Sequence, residues 1–145
     1  MIYIGIDPGR HTGVAVWDSE KDKILSLETM PIHRAMEEIL LWTLPHIHEG
    51  EWYTGNDVEV IFEDARQRTW YGKGDVSAKM QGAGSIKRDC TIWEDFLKDN
   101  DIPFRAIPPV KGATKVSEEY IRALTGYKGR TSSHARDAAM LVIGR

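Results

Sequence analysis

The stretch Ile2-Tyr3-Ile4-Gly5-Ile6-Asp7-Pro8-Gly9-Arg10-His11-Thr12-Gly13-Val14-Ala15-Val16 constrains the chain more than any other. A short apolar run ends in a single acid, a Gly/Pro-rich turn follows at once, and a second apolar run leads away. Ile2, Ile4 and Ile6 alternate with Tyr3, Gly5 and Asp7, the period of a strand with two distinct faces. Such a strand presents one carboxylate at the edge of a sheet. The Pro8–Gly13 turn, with glycines at both 9 and 13, is expected to leave room beside that carboxylate.

The remaining elements follow from periodicity. Gly13–Asp18 and Ile24–Met30 are expected to complete an antiparallel meander around the charged turn 20–23. From Arg34 the apolar positions Met36, Ile39, Leu40, Leu44 and Ile47 recur at helical spacing, and Pro45 kinks or ends that helix. Glu49–Asp57 reads as a polar loop. Val58–Phe62 is a strand that again delivers acid at its tip, Glu63-Asp64. Arg66–Asp75 is irregular and aromatic. Val76–Asp99 reads as a long helix with a stripe of Ala83, Ile86, Cys90, Trp93 and Leu97, in which Gly82 and Gly84 permit close packing. Ile102–Ile107 is a short fifth strand stopped by Pro108-Pro109, and Ser117–Thr125 and Ser133–Gly144 are the last helices, the second capped by Ser132 or Ser133. The order β-β-β-α-β-α-β-α-α predicts an α/β domain, 1–145, with a five-stranded mixed sheet and helices on both faces.

Charge is polarised along the chain. Residues 1–63 hold 4 Lys and Arg against 12 Asp and Glu, and residues 64–145 hold 15 against 10, so −8 and +5 give the net −3. An acidic total therefore does not exclude a polyanionic partner on one face. The single Cys90 excludes an internal disulfide and fits a reducing compartment. No apolar run approaches the roughly 20 residues of a membrane span, and no secretory signal is visible, so a cytoplasmic protein is expected.

Three carboxylates and an imidazole stand out. Asp7 ends the first strand, Glu63 ends the fourth, and His134 and Asp137 share a face of the last helix at a spacing of three. Glu63 and Asp64 both remain open as the inward acid. Oxygen-rich clusters with one histidine suit Mg²⁺ or Mn²⁺, and two such ions serve phosphodiester hydrolysis.

Gly5-Ile6-Asp7-Pro8-Gly9 with Thr12-Gly13, the strand-end Glu63, and Ser133-His134-Ala135-Arg136-Asp137-Ala138-Ala139 resemble the motifs of the RuvC family of Holliday junction resolvases. Ser77–Gly84 is similar to that family's long helix after the glutamate, and Val110–Lys115 to its basic segment before the last helices. The resemblance covers nearly the whole chain. It implies a ribonuclease H-like fold and a metal-dependent endonuclease that cuts four-way DNA junctions by paired symmetric nicks, with 5′-phosphate and 3′-hydroxyl ends. It further implies a homodimer joined through the long helix, with Asp7, Glu63, His134 and Asp137 as catalytic metal ligands. His134 occupies a position where other members carry Asp or His. In this reading Asp7 bridges two Mg²⁺ ions and the scissile phosphate, Glu63 and Asp137 complete the separate ion sites, and His134 ligates one ion or orients the water. Lys111 and Lys115 neutralise phosphate near the cut, while Arg66, Arg68, Lys73, Lys79 and Arg130 extend the basic surface. A bacterial or phage source follows from the family's habit. One departure stands out: family members carry an aromatic residue three positions after the glutamate, and this chain has Arg66 there. Trp70 and Tyr71, a few residues on, either stack on an unpaired base or anchor the loop.

Two other functions compete with this one. In the first, the scaffold binds branched DNA without cutting it; in a related case the nuclease acts on flaps or forks. The second is an actin-like sugar kinase, which shares an acidic strand end and a Gly/Thr turn but needs two lobes and a second phosphate loop, beyond what 145 residues supply.

Overall fold

The computed structural model describes residues 1–69, 76–111 and 114–145, and within 76–79 it describes the side chain of Ser77 alone. Strands β1 (Ile2–Asp7), β2 (His11–Asp18) and β3 (Lys23–Pro31) form the expected meander. Helix α1 (Ile32–Trp42) and a small hairpin, β4 (His46–His48) with β5 (Glu51–Tyr53), lead to β6 (Val58–Glu63). A 3-10 turn (Ala65–Gln67), helix α2 (Val76–Asp99), β7 (Phe104–Ile107), α3 (Glu118–Thr125) and α4 (Ser133–Met140) complete the chain.

The main sheet has five strands in the order β3-β2-β1-β6-β7. β1 and β2 run antiparallel, as do β2 and β3, whereas β6 lies parallel to both β1 and β7. The pleat sends alternate residues to opposite faces, and each face has its own core. Ile2, Ile4, Ile6, Val60 and Phe62 pack with Ile39 and Trp42 of α1 and with Cys90, Trp93 and Leu97 of α2. On the other face Ala15, Trp17, Leu27 and Ile61 pack with Ile121 of α3 and with Ala135, Ala138, Ala139 and Val142. Among the described residues no helix is long and apolar enough to cross a membrane.

The segment around 43–53 departs from the expected helix and loop. α1 stops at Trp42: Thr43 N–H donates to the carbonyls of Ile39 and Leu40, its hydroxyl donates to Leu40, and Pro45 has no N–H to carry the helix on. Leu44 and Ile47, placed by their spacing in a buried stripe, are 56% and 68% exposed. Glu49 and Gly50 both take positive φ, 48° and 81°, the pair that closes a two-residue hairpin with the right twist. The chain therefore switches from helical to strand period within a few residues, and His46, His48 and Tyr53 turn onto Trp42.

The stripe of α2 is also buried unevenly. Cys90, Trp93 and Leu97 are fully enclosed, but Ile86 is 39% exposed, and Met80, ahead of that stripe, is 58% exposed. Gly82 and Gly84 face open space within the chain. Ser132 caps α4 through a hydrogen bond from Ala135 N–H, and α4 ends at Met140, with turns rather than helix over 141–144. Cys90 Sγ donates to the Glu63 carbonyl at 3.7 Å, and burial pushes its pKa up to about 11. The thiolate is the reactive form, so Cys90 is expected to resist thiol reagents in the native protein and to be labelled fully after unfolding in denaturant. Rapid labelling of the native chain in a colorimetric thiol assay would contradict that burial.

Candidate metal centre

The site is built where α4 crosses the ends of β1 and β2. Two glycines allow the crossing. An added Cβ at Gly13 would lie 2.0 Å from the His134 carbonyl oxygen, and one at Gly5 would lie 2.1 Å from that of Ala138. Across the β1–β2 ladder Gly13 pairs with Asp7 and Gly5 with Ala15, so the sheet offers a smooth strip under the helix. The helix answers with Ala135, Ala138 and Ala139, all buried. Gly13 thus holds the helix down rather than opening the turn; Gly9, whose nearest such contact is 3.6 Å away, is the open position in that turn.

This seating sets His134 beside Asp7, with Nδ1 2.9 Å from Asp7 Oδ2. While Asp7 is ionised its carboxylate only accepts, so Nδ1–H is the donor of this bond and Nε2 is left for a metal. Asp7, His134 and Asp137 each offer a ligand atom, and these atoms lie within 4.8 Å of one another. The ammonium of Lys115 donates to Asp137 Oδ2.

Glu63 stands outside that trio, at the end of the neighbouring strand. β1 and β6 pair in parallel up to Ile6 and Phe62, so the next residues, Asp7 and Glu63, end adjacent strands. Both carboxyls are raised above their ordinary values. For each the main cause is burial; Asp137 adds to it at Asp7 against the His134 hydrogen bond, and Asp7 adds to it at Glu63.

Asp64 takes a different course. The residue is 4% exposed, and its carboxylate caps the 3-10 turn through Arg66 N–H and receives Arg66 Nε at 2.8 Å and Gln67 Nε2 at 3.2 Å. Despite burial, these bonds hold its pKa below the ordinary value. Burial apart, the charges of Asp7 and Asp137 are among the main influences on Glu63, whereas those on Asp64 come from Arg66 and Gln67.

The basic residues are dispersed. The guanidinium of Arg66 is committed to Asp64 and, at 2.6 Å, to Glu94 of α2, and it is less than one-third exposed. Arg68 and Lys111 border a cavity of about 160 Å³ beside Pro108, Pro109 and Val110, and Arg68 lowers the pKa of Glu63. Arg130 is exposed ahead of α4. Trp70, Tyr71 and Lys73 lie outside the described residues, as does the side chain of Lys79. Replacing Arg66 by Ala would leave Asp64 buried without its cation, so a loss of about 2 kcal/mol is expected in denaturant melts. Arg68→Ala, which breaks no such pair among the described residues, is expected to leave stability within about 0.5 kcal/mol.

Arg136 has a role that its place in the motif did not disclose. Its Nε donates to the Val116 carbonyl at 2.8 Å and its Nη1 to Thr131 at 2.9 Å. Glu118 accepts from Thr131 N–H, so the start of α3 is tied to the segment leading into α4. The neighbouring Lys115 is thereby held near Asp137. An arginine inside an otherwise small-residue helix is the only signal of this in the sequence.

Sequence comparison finds no matching family model and no matching curated protein. Comparison with solved structures does find a match: T. thermophilus RuvC in complex with a Holliday junction substrate. The TM-score is 0.57 at 18% identity, over 99% of this chain and 91% of that one. The fold is RuvC-like. At that identity the likeness is one of ribonuclease H-like architecture, and it spans the full chain rather than a single motif. The sheet order and the helices on both faces belong to this RuvC-like fold.

The residues fit a divalent metal. The donors are two carboxylate oxygens and an imidazole in mutual reach, the hard, oxygen-rich set that Mg²⁺ and Mn²⁺ take. Asp7 and Glu63, raised mainly by burial and further by a neighbouring carboxylate, would gain from a cation between them, and a lysine ammonium already lies on Asp137.

Proposed function

We propose that the chain is a single-domain, Mg²⁺-dependent endonuclease for branched DNA that cuts four-way junctions as a homodimer. The observation carrying this reading is the convergence of Asp7, His134 and Asp137 from opposite ends of the chain, with Glu63 on the adjacent strand. The structural neighbour described above was solved with a Holliday junction, which supports the same substrate class here.

Asp7, Glu63, His134 and Asp137 would hold the metal. Two divalent ions bound there would supply an activated water and neutralise charge on the leaving oxygen. Asp7 fixes the imidazole of His134 in one tautomer and orientation, and α4 carries Asp137 on the same face as His134. Lys115 pairs with Asp137, and its ammonium would be available to a substrate phosphate wherever a metal held that carboxylate. Arg68, Lys111 and Arg130 contribute backbone contacts that position DNA without reading its sequence. The exposed Met80 and Ile86 on the outer half of α2 offer an apolar face to a second copy.

Preference for flaps or forks is the second reading. It is favoured by Arg66, whose ion pairs with Asp64 and Glu94 occupy the position where the junction resolvases place an aromatic. A panel of labelled four-way, three-way, flap and duplex DNAs in Mg²⁺ or Mn²⁺ separates the two. Preferential nicking of the four-way junction is expected; a flap cut faster than the junction would overturn that substrate while leaving the chemistry in place.

A further inference from the structure

The end of the molecule away from the acid cluster has a different chemistry. Asp7 and Glu63 end β1 and β6, whereas the first residues of those strands, Ile2 and Val58, border a cavity of about 320 Å³. At about 3.3 Å per residue, the six residues of β1 put the two features roughly 17 Å apart. Trp42, Trp52, Tyr53, Asp18 and Asp57 line the cavity.

One cation already uses this wall. The Lys21 ammonium lies 5.0 Å over the Tyr53 ring, donates to the Tyr53 hydroxyl at 3.1 Å, stands 3.5 Å from Asp18 and pairs with Glu51. Aromatic faces beside carboxylates are the usual receptor for a lysine or arginine. A further carboxylate is available: Asp57 is exposed and has no ion-pair partner among the described residues. Beside the cavity, Ile47 and Trp52 pair directly across the β4–β5 hairpin, 68% and 65% exposed, and Leu44 is 56% exposed. This apolar face is unpartnered because the opposite face of the hairpin is the one that packs on Trp42.

The charge around it selects the partner. Asp18, Glu20 and Asp57 line the cavity, with Glu51 at its rim, against Lys21 and the Met1 ammonium, which pairs with Glu20, so acids outnumber cations there. Such a surface repels nucleic acid and attracts a basic polypeptide. We propose that this end of the molecule docks a partner protein by a lysine or arginine flanked by apolar residues. The cation enters between Trp52 and Asp57, and its apolar neighbours cover Ile47 and Trp52. This surface is independent of the proposed nuclease activity, so either can fail without the other.

The test uses a fluorescein-labelled peptide of alternating leucine and arginine, with a leucine–glutamate peptide as control, followed by fluorescence anisotropy. The arginine peptide is expected to bind saturably, and Trp52→Ala or Asp57→Asn to weaken it about tenfold. Asp7→Asn is expected to leave binding unchanged. Both docking variants change exposed side chains, and unchanged thermal melts would confirm that they fold. Equal binding by the variants, equal binding of the glutamate peptide, or displacement by a DNA junction would overturn the proposal. So would a dimer in sedimentation that Trp52→Ala dissolves, since a second copy would then be the occupant.

Discussion

Asp7→Asn is expected to make the metal-free protein more stable at neutral pH while cutting DNA cleavage roughly a thousandfold or more, the cost of several kcal/mol of lost transition-state stabilisation. The stability sign follows from the raised carboxyl. Asp7 is held above its ordinary value by burial and by Asp137, with the His134 hydrogen bond opposing them. A folded-state pKa above the unfolded one favours folding at acid pH, and that contribution is lost as pH rises through the folded value. Near neutral pH the ionised group therefore opposes folding, and asparagine removes the charge while keeping an oxygen for His134. Glu63 is shifted in the same direction and adds to the strain. Metal reverses the order. Mg²⁺ at a hundredfold excess over its dissociation constant would stabilise the wild type by about 2.7 kcal/mol. The variant would show little of that gain. Thermal melts with and without Mg²⁺ check both arms, and a variant that melts lower than wild type in chelator would contradict the cost of burying the ionised Asp7. On acidification the Mg²⁺ response of the wild type should fade at a higher pH than ordinary carboxylates require, because the ligands must lose their protons to bind.

Gly13→Ala is the second large effect expected. The new Cβ would meet the His134 carbonyl carbon and oxygen at 2.3 and 2.0 Å, separations that no rotamer change relieves because both atoms are backbone. Either α4 lifts or β2 shifts, at about 1–3 kcal/mol or more by the usual cost of overpacking. The damage should not stop at stability. His134 moves with its own carbonyl, so the Mg²⁺-induced rise in melting temperature should shrink as well. Gly5→Ala, 2.1 Å from the Ala138 oxygen, should destabilise similarly but one turn further from His134. Gly82→Ala is the informative contrast: it sits in α2 with nothing within 4 Å, and should gain about 0.5–1 kcal/mol from helix propensity. Denaturant melts of the three variants check the ranking. A Gly13→Ala protein as stable as wild type would mean that α4 is not seated as described.

The large sheet was legible because β1 alternates and the other strands are short apolar runs bounded by turn residues, and the span of α2 because its apolar positions keep one period from Ala83 to Leu97. The end of α1 was not. Leu44 and Ile47 continue the helical spacing, and only the Glu49-Gly50 turn, seen in three dimensions, shows that they belong to a hairpin with an exposed face. At the site, the residue types and their order suggested the grouping, but the choice between Glu63 and Asp64 needed the fold. The two are adjacent, and what separates them is that Arg66 and Gln67 fold back onto Asp64. The same contact removes Arg66 from the free basic surface, which charge counting could not foresee. Glycines 5 and 13 were visible as turn and strand residues, yet their function lies in a helix more than a hundred residues away.

The central claim is that the acids gathered by α4, β1 and β6 form a hydrolytic site for branched DNA. The most direct measurement is the mapping of cuts in an end-labelled four-way junction by the wild type and Asp7→Asn in Mg²⁺. Paired nicks at symmetric positions, with 5′-phosphate ends and dependent on Asp7, are expected. A wild type that binds the junction without cutting it in either Mg²⁺ or Mn²⁺, or an Asp7→Asn protein that cuts at the wild-type rate, would contradict it.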